Sequence, residues 1–324
     1  MPVPSPLVRA VETLLDKSLV LGYSSIGWYA RQPWLPPSPA PGSLAGRTVV
    51  VTGASSGLGR ATAAGVARLG ARVRLIGRTA SRLEEAARAI HGSLPNADLV
   101  IDACDMSDLD AVRSWCSTVE ESIHAVVHSA GVMPPERSES AQGHELALAT
   151  HVLGPVLMDD LLRPRLHEDG DARIVWMSSG GMYSAPLTEQ LVADPEYRRG
   201  EYNGTRAYAR TKRLQVVAAQ REAELMGADG IVVHAMHPGW ADTPGITDSL
   251  PGFAAVVKPI LRTAEQGADT AVWLVAAPEA AWATGEFWQD RRPRPTDFLP
   301  WHRTSWDLAD QVWRYCRSAA GLDS

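Results

Sequence analysis

The feature that most constrains this chain is a rhythm that begins at Arg47. Short apolar runs alternate with helical stretches: RTVVVTG with a helix to Leu69, RVRLIG with SRLEEAARAIH, ADLVIDACD with LDAVRSWCSTVE. HAVVHSAG then leads into a long helical region through Leu162, ARIVWMSS into the segment around AYARTK, and IVVHAMHPG into GADTAVWLVAA. GEFWQD closes the series as a short strand. Strands this uniformly apolar have no face to offer water, and helices returning between them cover both sides of a parallel sheet. The expectation is a single Rossmann-type doubly wound α/β domain over residues 44–290, with about seven parallel strands flanked by helices. The 45% of hydrophobic residues is core enough for it, so no second domain is needed.

The ends of the chain break the rhythm. Residues 1–43 read as an N-terminal extension: an amphipathic helix over 1–30, with Leu7, Val8, Val11, Leu14, Leu15 and Leu19 at helical spacing, then the proline-rich connector QPWLPPSPAPGS. Packing against the main domain is one role for it and a weak membrane-surface contact another, though few Lys or Arg flank the apolar stripe. Residues 291–324 read as a basic, proline-rich tail with a short helix around WDLADQVWRYC.

Charge and cysteine usage exclude several functions. A net charge of −6 leaves no basic face for nucleic acid. Cys104, Cys116 and Cys316 lie far apart without a CxxC, which suggests neither a disulfide framework nor a zinc cluster and fits a reducing, cytoplasmic setting. His124 and His128 are four apart in an apparent strand, where that spacing does not converge, so no metal site is expected. No apolar run reaches membrane-span length, and the start lacks a secretory pattern.

Chemistry enters at VVVTGASSGLGRA. Gly53, Gly57 and Gly59 fall between a strand and a helix, where glycine lets the backbone bend tightly and approach a pyrophosphate seated on free helix N–H groups. The cofactor-binding stretch is therefore Gly53, Ser55, Ser56, Gly57, Leu58 and Gly59. At the end of the second strand an acid would accept from a ribose 2′-hydroxyl. LIGRT has Gly77 there and Arg78 next, and a guanidinium pairs with a 2′-phosphate. The expected cofactor is NADP(H) in preference to NAD(H), with a merely solvated Arg78 as the competing reading.

AYARTK sets Tyr208 and Lys212 one helical turn apart on one face. Taken alone, the pair reads first as an exposed tyrosine beside a snorkelling lysine. The functional reading is that the ammonium lowers the phenol from its ordinary pKa near 10. A cation about 4 Å away at an effective dielectric near 20 favours phenolate by up to ~4 kcal/mol.

Several segments, taken in order, resemble the short-chain dehydrogenase/reductase family over roughly Arg47 to Gln289: TGASSGLG, CDMSD, HSAG, MSS, YARTK and HPG. SSGGM, YARTKRLQVV, MHPGWADTPG, EQGADT and FWQDR resemble more narrowly its member-twelve-like dehydrogenase/reductase group, relatives of the retinol-dehydrogenase-like reductases. The resemblance implies that Asp105 and Met106 contact adenine, that Ala130 and Gly131 lie at a strand end beside the cofactor, and that Pro238, Gly239, Trp240 and Thr243 form the loop beneath the nicotinamide. It implies a catalytic set of Ser179, Tyr208 and Lys212: Tyr208 exchanges the proton, Ser179 holds the substrate oxygen, and Lys212 polarises Tyr208 and binds ribose hydroxyls. It also implies a small-molecule substrate and leaves room for a homodimer through the two long helices, unless the N-terminal extension blocks it.

Two departures stand out. His151 occupies the place of a family Asn that holds a relay water, and a histidine there is expected to make activity pH-dependent, unless it only satisfies buried backbone. His128 and Ser129 replace a pair of Asn, which is expected to loosen that strand end. Between Ser179 and Tyr208 a long insertion supplies Met182 and Tyr183, with Leu187 and Leu191, as pocket walls, joined by Trp240 after the Pro238-Gly239 turn. The function expected is carbonyl–alcohol interconversion on a hydrophobic substrate by an NADPH-dependent carbonyl reductase or alcohol dehydrogenase. The alternative is an NADP(H)-binding sensor or scaffold with little turnover.

Overall fold

The computed structural model describes residues 6–242, 257–297 and 304–322. Its core is one sheet of order β3-β2-β1-β4-β5-β6-β7-β8. The strands are β1 (Thr48–Thr52), β2 (Arg72–Gly77), β3 (Leu99–Ala103), β4 (Ala125–His128), β5 (Arg173–Met177), β6 (Val232–Met236), β7 (Phe287–Gln289) and β8 (Arg292–Arg294). The first seven are parallel, as the apolar runs imply. Alternate residues feed two separate cores: Val50, Val126 and Ile174 point to one face, Val49, Val51, Val127 and Val175 to the other. Helices α4 (Gly57–Arg68) and α5 (Ala80–Ser93) cover the second face. The first is covered by α6 (Leu109–Cys116), α8 (Gly154–His167) and α10 (Gly204–Met226). A short α7 (Leu146–Leu148) and a π-helical turn (Ala149–Leu153) lead into α8. Helix α9 (Glu189–Val192) lies in the insertion, and α11 (Ala264–Ala276) packs on α4. The chain order reverses between β1 and β4, and there the carboxyl ends of the strands open a crevice.

The eighth strand extends the sheet into what reads in sequence as tail. β7 and β8 are antiparallel, joined by Asp290 (φ 51°) and Arg291 (φ 55°), both left-handed. Neither residue is the glycine or asparagine that such a turn favours. Distant ion pairs impose the geometry instead: Asp290 sits between Arg31 and Arg262, and Arg291 pairs with Asp269. No local signal announces that hairpin.

The N-terminal stretch is three helices rather than one: α1 (Pro6–Lys17), α2 (Leu19–Tyr23) and α3 (Ser25–Arg31). Serines break the run, Ser18 accepting from the Leu21 N–H as the cap of α2 and Ser24 standing as the cap residue of α3. The proline-rich connector contains one 3-10 turn, Gln32–Trp34, and is pinned where Trp273 Nε1 donates to the Pro37 carbonyl. At the other end α12 (Trp306–Ala319) packs along α10, burying Ala309, Val312 and Cys316. The segment laid against the two long helices is therefore this C-terminal helix. No helix among the described residues is long and apolar enough to cross a membrane.

Candidate active site

A cleft of about 610 Å³ lies at the carboxyl ends of the strands. Its nucleotide half is built where β1 turns into α4. Gly53 has φ +68°, and a Cβ there would lie 2.7 Å from the Ala130 Cα, so only glycine lets the two strand ends close together. Ser56 caps α4 without a side-chain hydrogen bond, which leaves the first-turn amides to the cleft. Ser55, Ser56, Gly57, Leu58 and Gly59 line it, as do Arg78, Asp105, Met106, Ala130 and Gly131. Asp105 is oriented by the Ser107 N–H and hydroxyl, which donate to its Oδ1 at 2.9 and 2.8 Å. Arg82, unforeseen from sequence, lines the cleft with Arg78. Its signal was the four-residue spacing into the first turn of α5.

The strand end expected to be loose is tied. Thr52 Oγ1 accepts from the Ser129 and Ala130 N–H groups, both at 3.1 Å, and His128 Nε2 lies 2.8 Å from the Asp159 carboxylate. Hydroxyl and imidazole replace the amide side chains, because the fold brings β1 and α8 against the same turn.

Ser179 follows β5, and Tyr208 and Lys212 ride on α10, whose start is capped by Asn203 accepting from the Arg206 N–H. All three line the cleft. Ser179 Oγ accepts from the Gly181 N–H at 3.1 Å, and a Cβ on that glycine would lie 3.5 Å from Ser179 Oγ and 4.0 Å from the Tyr208 ring, so the two side chains flank the same point. The Lys212 Nζ lies 5.3 Å from the centre of the Tyr208 ring. Ser178 is spent on structure, its hydroxyl donating to the Lys212 carbonyl at 2.7 Å.

The electrostatics differ from the expected pairing. Burial pushes Tyr208 up to about 12, against the lowering influence of the neighbouring Ser179 hydroxyl. Burial also brings Lys212 down to about 7. Its Nζ is committed to the Met177 carbonyl at 2.8 Å and to Gln215 Oε1 at 2.9 Å. Tyr208 is thus kept as a phenol, the form that donates a proton.

Gln215 was missed in the sequence, although it stands three residues after Lys212 on the same helix face. Its Nε2 donates to the His151 carbonyl at 2.9 Å, so one amide bridges the ammonium to the π-helical turn. The His151 ring does not line the cleft. Its Nε2 accepts from the Val132 N–H at 2.9 Å, which places the proton on Nδ1, 2.7 Å from Thr211 Oγ1. Thr211 in turn donates to the Tyr208 carbonyl. Burial first, and the Lys212 charge second, hold His151 well below the usual imidazole range. Its two ring hydrogen bonds suit a neutral brace, and burial opposes the protonation that a pH switch would need.

The substrate half departs most from expectation. After Ser179 the chain winds into a 3-10 turn, Gly180–Ser184, which drives Met182 into the core with Leu187 and Leu191. The Tyr183 hydroxyl donates to the Pro295 carbonyl at 2.6 Å and its ring edge meets Phe287. Neither Met182 nor Tyr183 lines the cleft. Pro238, Gly239 and Trp240 do, while Thr243 lies outside the described residues. The wall beside Trp240 is Tyr23, from the N-terminal extension.

A doubly wound sheet with a glycine turn at its switch point and Ser, Tyr and Lys meeting in the crevice defines a dinucleotide-dependent oxidoreductase scaffold. The family profile described as short chain dehydrogenase matches residues 47–188. Dehydrogenase/reductase SDR family member 12 of Bos taurus is 39% identical over 269 residues, covering 82% of this chain and 83% of that protein. The putative daunorubicin C-13 ketoreductase DnrU of Streptomyces sp. (strain C5) is 33% identical, covering 86% and 94%. A solved structure described as a putative NAD(P)-dependent gluconate 5-dehydrogenase from Beutenbergia cavernae with bound NADP is 25% identical, with TM-score 0.59 over 76% of this chain and 96% of that one. The chain belongs to the short-chain dehydrogenase/reductase family.

Proposed function

We propose that this oxidoreductase interconverts a carbonyl and an alcohol on a hydrophobic small molecule, using NADP(H) in preference to NAD(H). The observation that carries the reading is the convergence of Ser179, Tyr208 and Lys212 on one cleft, with Lys212 one turn from the tyrosine. The residues fit the cofactor: a Cβ-free cradle at Gly53, unpaired amides opening α4, and Arg78 with Arg82 where a 2′-phosphate would sit. When bound, the nicotinamide supplies the hydride. The chain's own residues supply the rest. Ser179 holds the substrate oxygen while charge develops on it. Tyr208 gives that oxygen its proton in reduction and takes it back in oxidation. Lys212 is held through Met177 and Gln215 beneath the phenol, on the side where ribose hydroxyls would approach.

A bulky ketone fits the apolar and aromatic substrate half, and the ketoreductase named among the relatives points the same way. Three buried, unpaired cysteines support a cytoplasmic setting, and the exposed Leu14, Val20, Ile26 and Tyr29 of the extension suit a weak membrane-surface contact. The test is NADPH oxidation followed optically across a panel of apolar ketones and aldehydes. Turnover with at least one class, several-fold slower with NADH, is the expected result. Tight NADPH binding with no turnover of any compound overturns the reading and favours a cofactor sensor.

A further inference from the structure

Among the described residues, the N-terminal extension reaches the active site through Tyr23. Tyr23, the last residue of α2, lines the cleft together with Ser179, Gly180, Tyr208 and Trp240. Its ring meets the His237 ring edge-on at 4.3 Å and the Trp240 ring at 6.0 Å. Its carbonyl accepts from the Trp240 N–H at 2.7 Å, so the backbone of the cleft loop is tied to the backbone of the extension.

That position is over-determined. The carbonyl of Gly22, the residue before, accepts from Arg31 Nη1 at 2.9 Å, Arg262 Nη2 at 3.0 Å and Gln289 Nε2 at 2.9 Å. The two guanidiniums meet on Asp290, at 2.7 Å from Arg31 and 2.6 Å from Arg262. Arg31, Arg262 and Asp290 are almost wholly excluded from solvent. Buried charges persist only when paired and hydrogen-bonded, and this cluster satisfies both conditions while locking α2 to β7 and to the segment after the undescribed stretch. The catalytic loop is shaped to match. A Cβ on Gly180, next to Ser179, would lie 2.6 Å from Tyr23 Cε2, so that residue is glycine because the tyrosine ring occupies the space.

We propose that the extension is a working part of the substrate site and that Tyr23 is a specificity-determining residue. With Trp240 and Met133 it forms an aromatic and apolar wall, and the room it leaves sets how large an apolar group may flank the reacting carbonyl. The proposal deepens the carbonyl-reduction reading and rests on it for the identity of the reacting group. It also explains why Met182 and Tyr183 lie elsewhere: the wall they were expected to form is already filled from a segment more than 150 residues upstream.

The experiment uses the full chain with Tyr23→Leu and Tyr23→Trp, a small aliphatic aldehyde and a bulky bicyclic ketone. The ratio of kcat/KM for the two compounds is expected to move at least tenfold toward the ketone in Tyr23→Leu and toward the aldehyde in Tyr23→Trp. The NADPH Kd is expected to stay within twofold of the native value, which a merely structural role would not produce. Two folded variants with unchanged ratios overturn the proposal, as does an NADPH Kd that shifts by the same factor as the substrate terms. If Tyr23→Leu does not fold, Tyr23→Trp alone decides it on the same criterion. Where the native protein reduces neither compound, saturation-transfer NMR of the same compounds on the NADP⁺-loaded protein separates the two readings. Binding that changes with Tyr23 upholds the wall and removes carbonyl reduction, and binding indifferent to Tyr23 removes the wall.

Discussion

The two ends of the cleft are built on opposite plans. At the nucleotide end the lining comes from the turns that follow strands and the helix starts they open: Gly53 to Gly59 after β1, Arg78 and Arg82 after β2, Asp105 and Met106 after β3, Ala130 and Gly131 after β4. The sheet itself sets those turns side by side, so a local motif suffices to build the site. At the substrate end Ser179 and Trp240 still follow strands, but Tyr208 comes from within α10 and Tyr23 from a helix that precedes the sheet altogether. Binding a shared cofactor needs only the scaffold. Choosing a substrate needs what has been attached to it.

The sharpest way to test this division is to remove the proton at the substrate end and leave the nucleotide end untouched. Tyr208→Phe deletes one oxygen from a half-buried ring, and general acid catalysis contributes roughly 10²–10⁴-fold to rate. We expect kcat to fall by about that factor while NADPH binding, measured by fluorescence titration, stays within twofold. Turnover that survives the exchange would remove Tyr208 from the chemistry.

The next largest effect belongs to the nucleotide end alone. Arg78→Ala and Arg82→Ala each take away a charged hydrogen-bond donor worth about 1.5–3 kcal/mol, or roughly ten- to a hundredfold. KM for NADPH is expected to rise by that order in either variant, with KM for NADH and the carbonyl-compound selectivity unchanged. A variant that loses NADH equally would show that these guanidiniums serve the fold.

How much of this was legible in the sequence follows the same division. The apolar rhythm and the glycine turn place the sheet, its order of elements and the nucleotide half, because each rests on residues adjacent in the chain. Tyr208 and Lys212 drew attention by their spacing, and Ser179 joined them only through the resemblance to the family. Tyr23 was not, since its place depends on Arg31 and Arg262 meeting on Asp290, and nothing local marks buried arginines as a pair. Met182 and Tyr183 misled because apolar residues after a catalytic serine serve a core as readily as a pocket. The β7–β8 hairpin was hidden for the reason that hid Tyr23: its Asp290–Arg291 turn is held by the same distant charges.

Gln215 tests whether the middle of the cleft belongs to either plan. Its amide joins Lys212 Nζ to the His151 carbonyl, in a region with no route for solvent to take its place. Gln215→Leu keeps volume, takes the amide donor from the His151 carbonyl and leaves Lys212 Nζ with the Met177 carbonyl alone, at a cost of roughly 1–3 kcal/mol. We expect kcat to drop about tenfold, with KM for the carbonyl compound nearly constant and partial rescue in Gln215→Asn. A KM effect larger than the kcat effect would make Gln215 part of the substrate wall.

The smallest expected effect is also the one that separates brace from switch. Were His151 a proton switch, replacing it would erase a limb of the pH–rate profile on the acid side. The ring already has both nitrogens committed, and burial with the nearby Lys212 charge keeps it neutral through mildly acid pH. The group set to titrate in the neutral range is Lys212, brought down to about 7 by burial. Below that pH it is the cation beside Tyr208, and as pH rises through it the charge is lost. Reduction is therefore expected to slow as pH climbs through about 7, once by loss of that cation and again as the solvent proton needed to recharge Tyr208 becomes scarcer. His151→Asn should lower the rate only a few-fold, by removing one of two hydrogen bonds, and leave that limb where it is. A limb that disappears or moves by a full unit in this variant would return the histidine to the proton path.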